Sequence, residues 1–365
     1  MIRILDLGAM FGLICLLIFL ILRRKFDPKV SFVLFVAGFV IITFRTIGDD
    51  TIQYVGIYHA LEPSFDNFTL KNVNGFTIEP LWFFIISILK SVGFSNPYFF
   101  FFISSFLPFL GVYWVYKKSK LFDRSFDVYF YFLFWLILYQ FAINGVRAFA
   151  STCFVILALW FFYNAKYIKT FLVSMLVILL HSSGFILLLF FVIMKMKLNK
   201  KSLLFSFLTC LTLLAVFFQI DWSDPYFSRL YFKLDYYLFA VEQDMLINNS
   251  GRELYVFFSR SLFIASITYC FIVLMLSLDI YGDNGFVTGI YRCSLVTTFA
   301  CMALLFFGVF LFSYRLIMFI QPLILLVFCY SLSRKPKKYK LPMFFVFTGW
   351  YWVFFILFAS RFYDA

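Results

Sequence analysis

The sequence predicts an all-α protein, a polytopic transmembrane bundle of about 12–13 helices with a candidate re-entrant half-helix and a large external loop. Three observations carry this expectation. Hydrophobic residues make up 64% of the chain and aromatic residues 24%. Apolar runs at residues 11–22, 30–44, 128–141 and 203–218 approach or reach the thickness of a bilayer's hydrocarbon core, where only helices or closed barrels satisfy their own backbone. The lysines and arginines cluster in short loops at 23–29, 117–124, 195–201 and 334–340, which marks the cytoplasmic side of a membrane. The net charge of +13 follows from these loops and requires no nucleic-acid partner.

The first apolar run lacks a small-residue cleavage site and is followed by its basic cluster, so it reads as a first membrane helix. With 23–29 in the cytoplasm, the second helix, 30–44, exits to the outer face. Residues 45–78 then read as an external loop rich in Asn, Asp and Thr. Two apolar stretches, 80–92 and 98–116, precede the next basic loop. Two full crossings would put that loop on the wrong side. The first stretch is short, carries Lys90 and ends at Gly93 and Pro97, so it reads as a re-entrant or interfacial half-helix. Helices at 126–141, 149–162, 168–180, 184–194 and 203–219 then alternate cleanly. A second external loop at 220–253 carries Asp221, Asp224, Asp235, Glu242 and Asp244. Helices at 255–278, 286–312, 316–332 and 343–358 complete a single integral membrane domain spanning 1–365. The seven cysteines stand singly in apolar runs, with no CxxC pair, and read as small buried hydrophobes. No metal ligand set and no cofactor motif is present in the sequence.

The polar residues that break the apolar pattern fall on the predicted outer face. Arg45, Asp49 and Asp50 leave the second helix, and Glu79 precedes the half-helix. Arg147 lies in a short turn, His181-Ser182-Ser183 forms another, Arg252 ends the large loop, and Tyr314-Arg315 opens a helix. Arginines on that face oppose the positive-inside bias, and ionisable residues near membrane depth are costly enough to imply a function. Converging arginines suit an anion held bidentately, such as a phosphate or diphosphate. Arg147 and Arg315 are also expected at helix N-termini, whose free N–H groups favour anions. Each arginine can alternatively pair with a nearby carboxylate or snorkel to headgroups. His181 is a candidate general base, because imidazole titrates near neutral pH, or simply a hydrogen-bonding residue of the turn. Asp50 and Glu79 are the other candidate bases. Asp49, Tyr54 and Tyr314 are candidate substrate contacts.

These residues carry a resemblance. The stretch Arg45-Thr46-Ile47-Gly48-Asp49-Asp50-Thr51-Ile52-Gln53-Tyr54 resembles the R-x-x-G-x-D-x-x-x-Y signature of EpsG-like polysaccharide polymerases, which are related to the Wzy O-antigen polymerases. Glu79 before Pro80, Arg147 with Ala148 and Ala150, His181-Ser182-Ser183, and Tyr314-Arg315 with Pro322 resemble further family elements in the same order. The resemblance implies a multi-pass enzyme of the bacterial cytoplasmic (inner) membrane. Its substrate would be an oligosaccharide carried on undecaprenyl diphosphate, destined for O-antigen, capsule or exopolysaccharide. The growing chain would pass to the non-reducing end of a new lipid-linked unit at the outer face. Membrane lipid, a chain-length regulator and a flippase are the partners implied. A glycosyltransferase using a polyprenyl-monophosphate sugar, a ligase for finished polysaccharide, and a flippase or transporter of lipid-linked oligosaccharide are the alternatives. A transporter needs polar residues along a path through the membrane, and the runs 187–194 and 203–218 offer none.

Overall fold

The computed structural model describes the backbone of residues 2–23, 28–44, 49–62, 71–73, 76–119, 121–122, 126–144, 146–196, 267, 269–306, 310–336 and pieces of 339–349. These residues are helical apart from one short hairpin, so the all-α class holds. Two described helices, Tyr98–Lys118 and Gly285–Leu304, are long and apolar enough to cross a bilayer; seven further apolar helices have 10–17 described residues each. The chain divides into two compact units, Met1–Phe191 with Gln321–Ala365, and Val192–Ile320.

In the first unit, α1 (Ile2–Arg23) and α2 (Pro28–Thr43) match the first two expected helices. Pro28 opens α2 where its missing N–H costs nothing. The half-helix appears as α4 (Pro80–Ser91), followed by α5 (Tyr98–Lys118), α6 (Asp127–Asn144), α7 (Val146–Tyr163) and α8 (Tyr167–Leu180). Phe35 and Phe39 of α2 pack on Phe109 of α5 and on Tyr131, Phe134 and Trp135 of α6, with Phe35 and Tyr131 stacked at 4.5 Å. Trp135 Nε1 donates to the Phe35 carbonyl at 3.1 Å. Gly38 permits this approach, because a Cβ there would overlap the Trp135 indole.

The direction of each helix follows from its end contacts. At one end Lys117 Nζ pairs with Asp127 Oδ2 at 2.6 Å and Tyr116 Oη donates to Asp127 Oδ1 at 2.9 Å, tying α5 to α6 across the basic loop. At that end Trp114 of α5 meets Phe161 of α7, and Lys169 of α8 lies over the same Phe161 ring. Lys117, Lys118, Lys166 and Lys169 therefore gather at one end of the α5–α7–α8 layer. Arg147 at the start of α7 and His181 after the end of α8 mark the opposite end.

The described residues of the expected external loop 45–78 form regular elements. They include α3 (Asp49–Ala60) and an antiparallel hairpin, β1 (Lys71–Val73) and β2 (Phe76–Ile78), with Lys71 opposite Ile78. Tyr54, Ile57, Tyr58 and Leu61 repeat at helical spacing, and Trp82, Phe83, Ile86 and Leu89 do the same on α4. The two stripes form one buried cluster with Phe100 and Phe101 of α5, Ala150 of α7 and Leu180 of α8. The α3–α4 pair is thus a cap laid on the ends of three helices. Tyr58 Oη donates to the Phe94 carbonyl at 2.5 Å, and burial pushes the Tyr58 phenol up from its usual range. Lys90 Nζ donates to the Leu61 carbonyl at 2.5 Å, a cation at the C-terminus of α3. Gly93, at φ +96°, ends α4 with its N–H on the Lys90 carbonyl, as the sequence stop at Gly93 predicts. α5 then begins with Phe100 5.5 Å from Trp82 and 5.4 Å from Tyr54. Both ends of α4 consequently lie at the same end of the layer.

In the second unit, Asn284 Oδ1 accepts from the Phe286 and Val287 amides and caps α10 (Gly285–Phe306). Arg292 Nη1 donates to the Met196 carbonyl just beyond α9 (Ile186–Lys195), and Arg292 Nε to Tyr281 Oη at 2.9 Å. A single helix was expected over 286–312 with a break at Tyr314-Arg315. The described stretches are α10 (Gly285–Phe306) and α11 (Phe310–Arg334), residues 307–309 lie outside the described residues, and Tyr314-Arg315 falls within α11 rather than at a break. The expected helix 203–219, the loop 220–253 and most of the segments 255–278 and 343–358 lie outside the described residues.

Candidate functional site

The start of α7 places Arg147 one residue into the helix, and the start of α4 places Glu79 at its N-cap. Glu79 is extended (φ −66°, ψ 147°) and its carboxylate makes no capping bond to its own helix. It turns instead to Arg147, whose Nη1 donates to Glu79 Oε2 at 2.7 Å. Pro80 at the first helical position makes this possible, since the helix start is fixed without a side-chain cap. Glu79 is buried, while 29% of the Arg147 side chain is exposed. The Arg147 guanidinium carbon also lies 5.9 Å from the centre of the buried Tyr54 ring. A buried carboxylate needs such a partner, and the pair holds Arg147 at the junction of α3, α4 and α7.

His181 joins this junction through two bonds that sequence reasoning missed. Trp82, one turn beyond Glu79, donates its indole N–H to the Leu180 carbonyl at 2.7 Å. Ser151, one turn beyond Arg147, donates to the Val177 carbonyl at 3.0 Å. The only sequence signal for either is a polar atom one turn from a candidate residue, on its own helical face. His181 itself ends α8 with its N–H on the Val177 carbonyl at 3.1 Å, and its carbonyl accepts from Gly184 at 2.8 Å. Its Nδ1 accepts from the Ser183 amide at 3.2 Å, capping the short turn Ser182–Phe185. Gly184 is required here: a Cβ would lie 2.8 Å from the Val177 carbonyl oxygen.

The structure therefore brings together Tyr54, Glu79, Arg147 and the His181 turn. Asp49 and Asp50 occupy the first turn of α3, and Asp50 stands four residues before Tyr54, on the same face of that helix. Tyr314 and Arg315 lie in the part of α11 that belongs to the second unit. Arg315 is the sixth residue of that helix rather than in its first turn, so the expected contribution of N-terminal amides applies to Arg147 and not to Arg315. Arg45 and Arg252 lie outside the described residues. Chemically, the assembled part offers an arginine fixed by a carboxylate, an aromatic face and an imidazole, the elements of an anion and sugar site.

A family model described as the EpsG family matches residues 29–364, nearly the whole chain. Neither a curated protein nor a solved structure matches it.

Proposed function

The chain belongs to the EpsG family of polysaccharide-biosynthesis membrane proteins, and on that premise we propose that it is the polymerase itself, a multi-pass glycosyltransferase of the bacterial cytoplasmic membrane. It joins repeat units carried on undecaprenyl diphosphate at the outer face. The observation that carries this reading is the Glu79–Arg147 pair, held with the His181 turn at the end of α5, α7 and α8 opposite the lysines. With the lysines in the cytoplasm, that end faces outward, where lipid-linked repeat units are presented.

In the transfer, an acceptor hydroxyl attacks the anomeric carbon of the donor glycan. The new oxygen–carbon bond forms as the bond from that carbon to the diphosphate oxygen breaks. Undecaprenyl diphosphate leaves, and the hydroxyl proton passes to a base. Arg147 receives the developing charge on the diphosphate. Glu79 orients Arg147. Of the three candidate bases, Glu79 is engaged with Arg147, so His181, or Asp50 next, takes the proton. Asp49 and Tyr54, both on α3, contact the sugars.

The test is reconstitution of the purified protein in liposomes with undecaprenyl-diphosphate-linked repeat units. A ladder of lipid-linked oligomers and released undecaprenyl diphosphate is expected, and both are lost with Arg147→Ala. Consumption of a polyprenyl-monophosphate sugar instead would move the protein to that class of transferase. Movement of intact lipid-linked units across the bilayer without chain growth would make it a transporter.

A further inference from the structure

We infer that the turn between α7 and α8, cytoplasmic in the proposed orientation, is a docking surface for one anionic phospholipid. Its phosphate meets Lys166 and Lys169, and an acyl chain lies along Ile168, Phe171, Leu172 and Met175. This surface is separate from the polymerase site, at the opposite end of α7 and α8 from Arg147 and His181. α8 is built inside out. Thr170, Ser174 and Val177 share one face, and the Val177 carbonyl receives Ser151 of α7, so that face is turned to α7. Thr170 and Ser174 are buried there, each with its hydroxyl on a backbone carbonyl one turn back, at 3.1 and 2.7 Å. The opposite stripe, Ile168, Phe171, Leu172 and Met175, follows the i, i+3, i+4, i+7 spacing and is exposed, Ile168 to 79%. Hydroxyls turned inward and large apolar side chains turned outward suit a helix surrounded by hydrocarbon. At the head of that stripe, the Lys166 amide donates to the Phe161 carbonyl at 2.9 Å, and Lys169 Nζ lies 5.8 Å from the centre of the Phe161 ring. One residue thus holds both lysines at one depth. Both are exposed, as are Tyr163 and Tyr167 beside them, residue types that gather at a membrane–water interface. Their charge has no protein counterpart. No Asp or Glu occurs between Asp127 and Asp221, Asp127 is paired with Lys117, and among the described residues neither lysine forms an ion pair. A phospholipid supplies both missing parts, a phosphate within reach of the two amines and a hydrocarbon chain for the stripe.

The purified protein is placed in detergent micelles carrying dioleoyl phosphatidylglycerol and dioleoyl phosphatidylcholine in equal amounts, and the lipids it retains are counted by native mass spectrometry. The lipid held most tightly is expected to be phosphatidylglycerol. Lys166→Gln combined with Lys169→Gln should weaken its retention about 30-fold, the share of two lysines in the attraction to an anionic headgroup. Both side chains are exposed, so the variant should keep the size-exclusion profile of the unsubstituted protein. Lys166→Arg combined with Lys169→Arg keeps both charges and should keep the lipid. Unchanged retention in the double glutamine variant overturns the assignment. Equal retention of phosphatidylcholine also overturns it, because the stripe is then an ordinary lipid-facing surface. Equal weakening by Lys338→Gln with Lys340→Gln, the same change of charge in another basic loop, does so too, since net charge then sets the retention. Displacement of phosphatidylglycerol by inorganic phosphate, but not by chloride at equal ionic strength, would make the turn a site for a free anion and not for a lipid.

Discussion

Ser151 donates its hydroxyl to the Val177 carbonyl at 3.0 Å, and this bond joins the helix that carries Arg147 in its first turn to the helix that His181 caps. The same carbonyl accepts the His181 amide. Ser151→Ala keeps the second bond and loses the first. The expected cost is about 0.5–1.5 kcal/mol of stability. Because it also loosens the spacing of Arg147 and His181, polymer yield should fall further than the same loss of stability causes at a distant site. Thermal unfolding in detergent beside a polymerisation assay makes that comparison.

The Glu79–Arg147 pair predicts an asymmetric response. Arg147→Ala strands a buried carboxylate, at a cost of about 3–5 kcal/mol. Adding Glu79→Gln to Arg147→Ala removes the stranded charge and should restore much of the stability, but none of the activity. Arg147→Lys keeps the charge without the planar fork, so it should stay folded yet make little polymer. A double-mutant cycle on unfolding, read beside chain length, checks all three outcomes.

Tyr58→Phe removes the donor to the Phe94 carbonyl and should cost about 0.5–1.5 kcal/mol. The folded phenol titrates above its ordinary range because it is buried. Its contribution is therefore complete at neutral pH and declines only as pH rises through the ordinary tyrosine range and beyond. The stability difference between the two proteins should be constant from pH 6 to 9 and shrink only in strong alkali, measured by unfolding at each pH.

Orientation is testable at two exposed positions. Asn96 precedes α5 at the capped end, and Lys118 ends it. On a cysteine-free background, Asn96→Cys should react with an impermeant thiol reagent in intact cells, and Lys118→Cys only after permeabilisation. Reaction of both in intact cells would refute the proposed topology.

Much of this architecture is legible in the sequence because apolar runs of bilayer length have few alternatives to a helix. The stop of α4 is legible for a different reason, since Gly93 permits the positive φ that ends it. The cap was harder to read. Tyr54, Ile57, Tyr58 and Leu61 carry a helical stripe, but polar neighbours and the fragment's external position made 45–78 look like loop. That Tyr314-Arg315 lies inside α11 is hidden because the apolar run before it gives no sign of where the helix begins. Glu79, Arg147 and His181 stand out as ionisable residues in an apolar chain. That they meet depends on Trp82 and Ser151 reaching backbone carbonyls, and a carbonyl has no sequence signature.

Because α4 starts and finishes at the same end of the layer, the α3–α4 cap is neutral in parity. It adds two helices to the chain and, in the proposed orientation, no change of side. Lengthening, trimming or exchanging it would leave α5 and every later helix pointing as before. The lining of the site can therefore diverge between such proteins without re-threading the bundle, much as a bit is changed without rebuilding the drill.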